Sequence, residues 1–189
     1  VDLGRMMVRA AERLSYRGYD SVGMATLTAD GPIDLRKDVG NIAKTNAQLK
    51  FDEMTGDRGL LQLRWATFGP PCTTNAQPHL SMDRSMVGAH NGNITNNPFV
   101  REALQAEGFV FESENDGETL VFLSEKYLSR GLSPEQAYTQ ISNDTEGDFA
   151  LVFMRSDKRE MYATKMGSSL YLGLADDFIC VRSDLPSIL

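Results

Sequence analysis

Four strand-like runs close this chain, at residues 149–154, 160–164, 170–174 and 178–181, with only three to five residues between one and the next. A parallel connection needs a crossover of about a dozen residues or more, and none fits here. The runs must therefore pair as antiparallel hairpins. The same logic holds upstream, where runs at 22–27 and 33–36 flank a polar turn at 28–32 that contains Gly31 and Pro32. Two further strands are expected at 60–66 and 86–90. A doubly wound parallel sheet would need helices between most of these.

Helical spacing appears elsewhere. Leu3, Met6, Met7, Ala10, Ala11 and Leu14 fall on one face of an opening helix. A weaker helix is expected at 42–51. Residues 98–106 begin with Pro98 and are followed by Gly108, the residues that start and stop helices. A stronger helix spans 116–128, with Asp116 at its N-terminus, and another spans 133–141 with Pro134 in its first turn. The order is helix, strands, helices, strands. It predicts an α+β fold of antiparallel sheets with helices outside them.

At 189 residues the chain is one domain, or most of one, and 41% hydrophobic content is enough for a packed core. With 26 acidic and 19 basic residues the net charge is −7, which argues against nucleic acid as a partner. No apolar run is long enough to suggest a membrane span. Cys72 and Cys180 make no disulfide framework and fit a reducing cytoplasm. With His79 and His90 as the only histidines and no Cys-x-x-Cys, neither a metal site nor a cofactor is expected.

Polar groups stand where two of the strands should stop. Arg64-Trp65 follows one apolar run and His90-Asn91-Gly92 another. An arginine can grip a carboxylate through two parallel hydrogen bonds. An Asn-Gly pair can aim a side-chain amide and a main-chain N–H at one oxyanion. Asp116 can hold an ammonium. Together they suit an amino acid with a reactive carbonyl. Each has a plainer reading. Arg64 could pair with a surface carboxylate, Asn91-Gly92 is a common turn dipeptide, Asp116 could simply cap its helix, and Trp65 could be core. Cys72, beside Pro70 and Pro71, has no histidine near in sequence to serve as base. His79 is expected to pack. Cys180, between Ile179 and Val181, is expected in the core with Met6, Met7 and Met24.

Six pieces in order resemble the class II glutamine amidotransferase family of N-terminal-nucleophile enzymes: YRGYDS at 16–21, LRWAT at 63–67, NAQPH at 75–79, HNGNITN at 90–96, SENDGE at 113–118 and GSSLYLGL at 167–174. The nearest likeness is to the glutaminase half of glucosamine-6-phosphate synthases. The resemblance implies a four-layer αββα sandwich across residues 1–189, hydrolysis of glutamine to glutamate and ammonia, and a cytoplasmic enzyme. It implies that Arg64 and Thr67 bind the α-carboxylate of glutamine, and that Asp116 and the Gly92 carbonyl bind its α-ammonium. It further implies that Asn91 and the Gly92 N–H form the oxyanion hole. Arg17 and Gly18 would line the pocket near the nucleophile, and Trp65 would anchor a closing loop. The implied partners are glutamine and an acceptor-binding synthase domain or subunit, with fructose 6-phosphate as the acceptor; a homo-oligomer is compatible.

The departures are specific. The family nucleophile is an N-terminal cysteine, whereas Val1 already stands at the opening helix. The expectation is that a first strand bearing that cysteine, and a C-terminal end, lie outside the 189 residues. Phe68 and Gln77 stand where the synthase motifs have histidine. NAQP and HNGN lean toward the amidophosphoribosyltransferase version. Asn115 and Gly117 replace the usual threonines around Asp116. Two other readings remain open: a glutamine-binding regulatory module without a nucleophile, and another N-terminal-nucleophile hydrolase.

Overall fold

The computed structural model describes residues 2–28, 31–66 and 69–184. Its elements, in chain order, are α1 (Leu3–Arg13), β1 (Ser21–Leu27), β2 (Asp34–Val39), α2 (Ile42–Leu49), β3 (Arg58–Arg64), β4 (His79–Leu80) and β5 (Met86–Ile94). There follow α3 (Asn97–Ala106), α4 (Asp116–Ser129), α5 (Pro134–Asp144), β6 (Gly147–Arg155), β7 (Met161–Met166), β8 (Tyr171–Leu174) and β9 (Ile179–Arg182). Single 3₁₀ turns lie at Ser15–Arg17 and Phe51–Glu53.

The helix ends follow local chemistry. Asp2 caps α1 by accepting from the Arg5 N–H, and Asn41 caps α2 through the Lys44 N–H. Ser133 and Gln136 form a reciprocal capping box at the start of α5, where Pro134 occupies the first turn. Past α3, Gly108 adopts a φ of +97°, which a side chain would resist.

All strand pairs are antiparallel. One sheet runs β2-β1-β3, the second β4-β5-β6-β7, and β8-β9 form a hairpin. Alternation along the strands sorts the core into three apolar layers. Val22 and Met24 of β1 meet Val8 and Ala11 of α1 and Ile42 of α2. Their neighbours Ala25 and Leu27 point the other way, onto Val87 of β5 and Met154 of β6. On the far face of the second sheet, Phe149, Leu151 and Phe153 of β6 pack with Leu104, Leu120, Leu123 and Ile141 of the three helices. Each fully buried leucine or phenylalanine there is worth about 1.5–3 kcal/mol. Helix, sheet, sheet, helix: this is the four-layer αββα sandwich.

The structure departs from the sequence reading in places. β2 starts and ends later than expected, and residues 29 and 30 of the turn before it lie outside the described residues. The short β4 was not foreseen. β5 does not stop at His90. It continues in register with β6 through Asn91↔Ala150, Gly92↔Phe149 and Ile94↔Gly147. Asn91-Gly92 is therefore neither a turn nor a strand end.

Candidate active site

Gly92 is what lets β5 carry its polar residues onward. Its φ is +137°, and a Cβ there would sit 2.1 Å from the Asp148 carbonyl oxygen of β6. Only glycine fits. The pairing with β6 stays in register through this point, and Asn91 is half-buried and lines a cavity.

Arg64 ends β3 and is almost wholly buried, at 4% exposure. Its Nη2 donates to the Gly69 carbonyl at 3.4 Å. Burial pushes the guanidinium pKa down, while the negative charges of Asp116 and Asp20 pull it back up. The turn holding it is built by YRGYDS. A Cβ on Gly18 would lie 2.8 Å from the Arg64 carbonyl carbon, so a glycine is needed for that close approach. The Asp20 side chain accepts from the Ala66 N–H at 2.8 Å, and its own N–H donates to the Arg64 carbonyl. Arg17 closes the adjoining 3₁₀ turn. Thr67 lies outside the described residues.

Asp116 is the first residue of α4, but it is not the cap. Asn115 is, accepting from the Gly117 N–H at 2.8 Å. That frees the Asp116 carboxylate to turn inward. One oxygen accepts from the Ile94 N–H at 3.1 Å and the other lies 3.5 Å from Nδ1 of His90. Gln62 of β3 donates to the His90 carbonyl at 3.3 Å. Through His90, β3, β5 and α4 converge, and with them Arg64, Asn91-Gly92 and Asp116. The result is one cation, one carboxylate and an amide drawn together by these elements, and Asn91 among them lines a cavity.

That cavity, about 370 Å³, runs along the edge of β3 not used by β1. It is lined by Arg58–Leu63 on one side and Ile179–Arg182 of β9 on the other, with Ala89–Asn91 and Ala150 below and α1 above. Two strand edges thus flank it, and it reaches Asn91.

Trp65 is not core. It is 57% exposed and lies against the equally exposed Tyr19, ring centroids 5.5 Å apart. Cys180 is half-buried and lines the cavity, because β8-β9 is a two-stranded hairpin and offers no core on one of its faces. Cys72 bonds Thr74 at 3.2 Å, and that contact lowers its thiol pKa. His79 is buried and packs as expected. Its Nε2 lies 3.3 Å from the Asn115 Oδ1, an acceptor, so the ring donates there, and burial drives its pKa well below the ordinary histidine value. Met24 is core, Met7 packs at its margin, and Met6 lines the cavity. Asp20, Gln62 and Gln77 were not singled out as site residues in the sequence. Asp20 had a signal, its place in YRGYDS. The glutamines bond to main chain and leave no periodic trace.

The model for the glutamine amidotransferase domain matches residues 67–189. The chain belongs to this family. The amidotransferase domain is also 37% identical over 187 residues to the glutamine–fructose-6-phosphate aminotransferase of Sulfurisphaera tokodaii, covering 99% of this chain and 32% of that protein. It is 36% identical over 176 residues to the protein of the same name from Gluconobacter oxydans, covering 93% and 29%. The domain therefore spans about a third of the length of these relatives. Its fold matches the glutamine phosphoribosylpyrophosphate amidotransferase of B. subtilis at a TM-score of 0.81 and 21% identity, covering 94% of this chain and 38% of that one. A class-II domain protein from Silicibacter pomeroyi matches at 0.60 and 18%, covering 83% and 76%. Among the described residues no helix is long and apolar enough to cross a membrane, and no cluster of three or more His, Cys, Asp or Glu could hold a metal.

Proposed function

We propose that this amidotransferase domain hydrolyses glutamine to glutamate and supplies ammonia to a synthase domain or subunit, with fructose 6-phosphate as the acceptor. The convergence of Arg64, Asn91-Gly92 and Asp116 around His90 carries the reading. Arg64, with Thr67, takes the α-carboxylate of glutamine, and Asp116 with the Gly92 carbonyl takes its α-ammonium. The Asn91 amide and Gly92 N–H then receive the charge that develops on the δ-carbonyl oxygen.

The nucleophile in this reading is an N-terminal cysteine on a strand ahead of Val1. That strand lies in the cavity between β3 and β9, pairs with both edges and brings its thiol to Asn91. The supporting observation is that residues of β3 and β9 line one cavity that Asn91 also lines. The thiolate attacks the δ-carbon, the cysteine's own α-amine relays the proton, ammonia leaves, and water hydrolyses the thioester to glutamate. Arg17 and Gly18 line the pocket beside the thiol, and Trp65 anchors the loop over glutamine. Fructose 6-phosphate is favoured by the names of the relatives above; the NAQP and HNGN motifs favour a phosphoribosyl acceptor as the second reading.

The test is labelling of the natural-length protein with an electrophilic glutamine analogue, followed by peptide mapping. Label on a cysteine upstream of Val1 supports the reading. Label on Cys72, whose thiol pKa is lowered, overturns it. Formation of an amino sugar phosphate from fructose 6-phosphate and glutamine tests the acceptor.

A further inference from the structure

The edge of β5 that faces β4 is held by main chain at Met86 and Gly88 and by side chains at His90 and Ile94. The Met86 carbonyl accepts from the Ser81 N–H, and Gly88 pairs with His79. Main-chain pairing between β4 and β5 stops at His79. At His90 a side chain takes over. Gln77 accepts from the His90 N–H at 2.7 Å and donates to the His90 carbonyl at 3.0 Å. At Ile94, Asp116 does the same work from α4. Gly92 lies between these two clamps.

We propose that Gln77 is a positioning residue for the Asn91-Gly92 oxyanion hole, acting through the His90–Asn91 peptide. This rests on the glutaminase reading given above. The His90 carbonyl and the Asn91 N–H belong to one rigid plane. A glutamine that fixes the carbonyl also fixes the orientation of the Asn91 N–H. The clamp is itself rigid. Gln77 is 4% exposed, and Lys37 pins its loop by donating to the carbonyls of Thr74, Ala76 and Pro78 at 3.3, 2.6 and 3.3 Å. A Cβ on Gly23 would lie 2.2 Å from the Gln77 carbonyl oxygen, so the loop rests directly on β1.

Two departures from the family motifs become one contact here. A Cβ on Gly117 would lie 2.7 Å from Oε1 of Gln77 and 3.0 Å from its Cδ. The threonine of the usual motif would press on the Gln77 carboxamide. Gln77 and Gly117 fit each other, and Asn115, the third departure, caps α4 through the Gly117 N–H.

The experiment uses the natural-length enzyme and measures glutaminase kcat and KM for Gln77→Met, Asn91→Ala and the double variant. Gln77→Met keeps the bulk and removes both hydrogen bonds. We expect kcat to fall about tenfold or more, since a misaimed donor loses much of its effect on the transition state. KM should stay within about twofold, and the double variant should be no slower than Asn91→Ala alone, as for residues acting in one unit. An unchanged kcat for Gln77→Met, a KM that rises with the fall in kcat, or losses that multiply in the double variant each overturn the proposal. If Gln77→Met does not fold, Gln77→Glu, which keeps the acceptor for the His90 N–H, is read the same way. If neither folds, Gln77 is a folding residue and the proposal fails. A fully active Asn91→Ala would instead refute the glutaminase reading of the site.

Discussion

Replacing Gly92 by alanine should be among the most damaging single-methyl changes in this chain, and the structure separates its cost into two parts. The first is conformational. At φ +137° an L-residue is strained by about 1–3 kcal/mol. The second is steric. The new Cβ would lie 2.1 Å from the Asp148 carbonyl oxygen and 2.8 Å from its carbon, both main-chain atoms. Relief requires β5 and β6 to part by roughly an ångström, at the expense of ladder bonds worth about 0.5–1.5 kcal/mol each. Losing two of them adds roughly 1–3 kcal/mol, so the total is about 2–6 kcal/mol. Gly108 supplies the control. It also has a positive φ, +97°, but a Cβ there meets nothing within 4 Å. Gly108→Ala therefore isolates the conformational part. Equilibrium urea unfolding of both variants, followed by circular dichroism, gives the comparison. If Gly92→Ala loses no more stability than Gly108→Ala, the steric half of the reasoning is wrong.

Other outcomes follow from the same geometry. Arg64→Ala should weaken glutamine binding by roughly 2–5 kcal/mol, the scale for truncating one member of a buried charge pair; unchanged affinity by calorimetry would remove Arg64 from the site. Asn91→Ala should lower turnover by about 10²–10³-fold with little change in glutamine affinity, read by steady-state kinetics beside direct binding. Lys37 is pushed down to about 8 by burial, against the pull of Glu118 and Glu112. The unfolded chain then holds more protons than the folded one between that value and the ordinary lysine range. Stability should rise with pH across this window, by at most about 3 kcal/mol. Lys37→Met should flatten that rise in urea titrations from pH 7 to 10.5.

The layers of the fold were legible from local signals: the stripe on α1, the polar turn between the runs at 22–27 and 33–36, and the turn-length gaps between the runs after Phe149. The candidate site was suggested by residue type, at Arg64, Asn91, Gly92 and Asp116, whereas their placement in the fold was not legible. Asn-Gly signals a turn, and no pattern of hydrophobicity announces a positive φ inside a paired strand. Asn115 and Asp116 are adjacent capping candidates, and only the inward demand of the Ile94 N–H decides which of them caps. Ile179 and Val181 made Cys180 look interior, yet Ile179 is 71% exposed because the hairpin has no cover on that face. Gln62 and Gln77 reach main chain far away in sequence, which local reading cannot see.

The single tryptophan of the chain stands half out of the surface, against a tyrosine, one residue beyond the arginine that closes β3. That makes the domain its own optical probe. No second indole contributes background from these 189 residues, and the Trp65 ring has both water and Tyr19 to lose or gain as neighbours. If the loop folds down over glutamine, the emission of Trp65 should shift to shorter wavelength as the ring leaves water. A titration of that shift in the domain would then report occupancy with no label attached, while a spectrum indifferent to saturating glutamine would mean that Trp65 takes no part in closure.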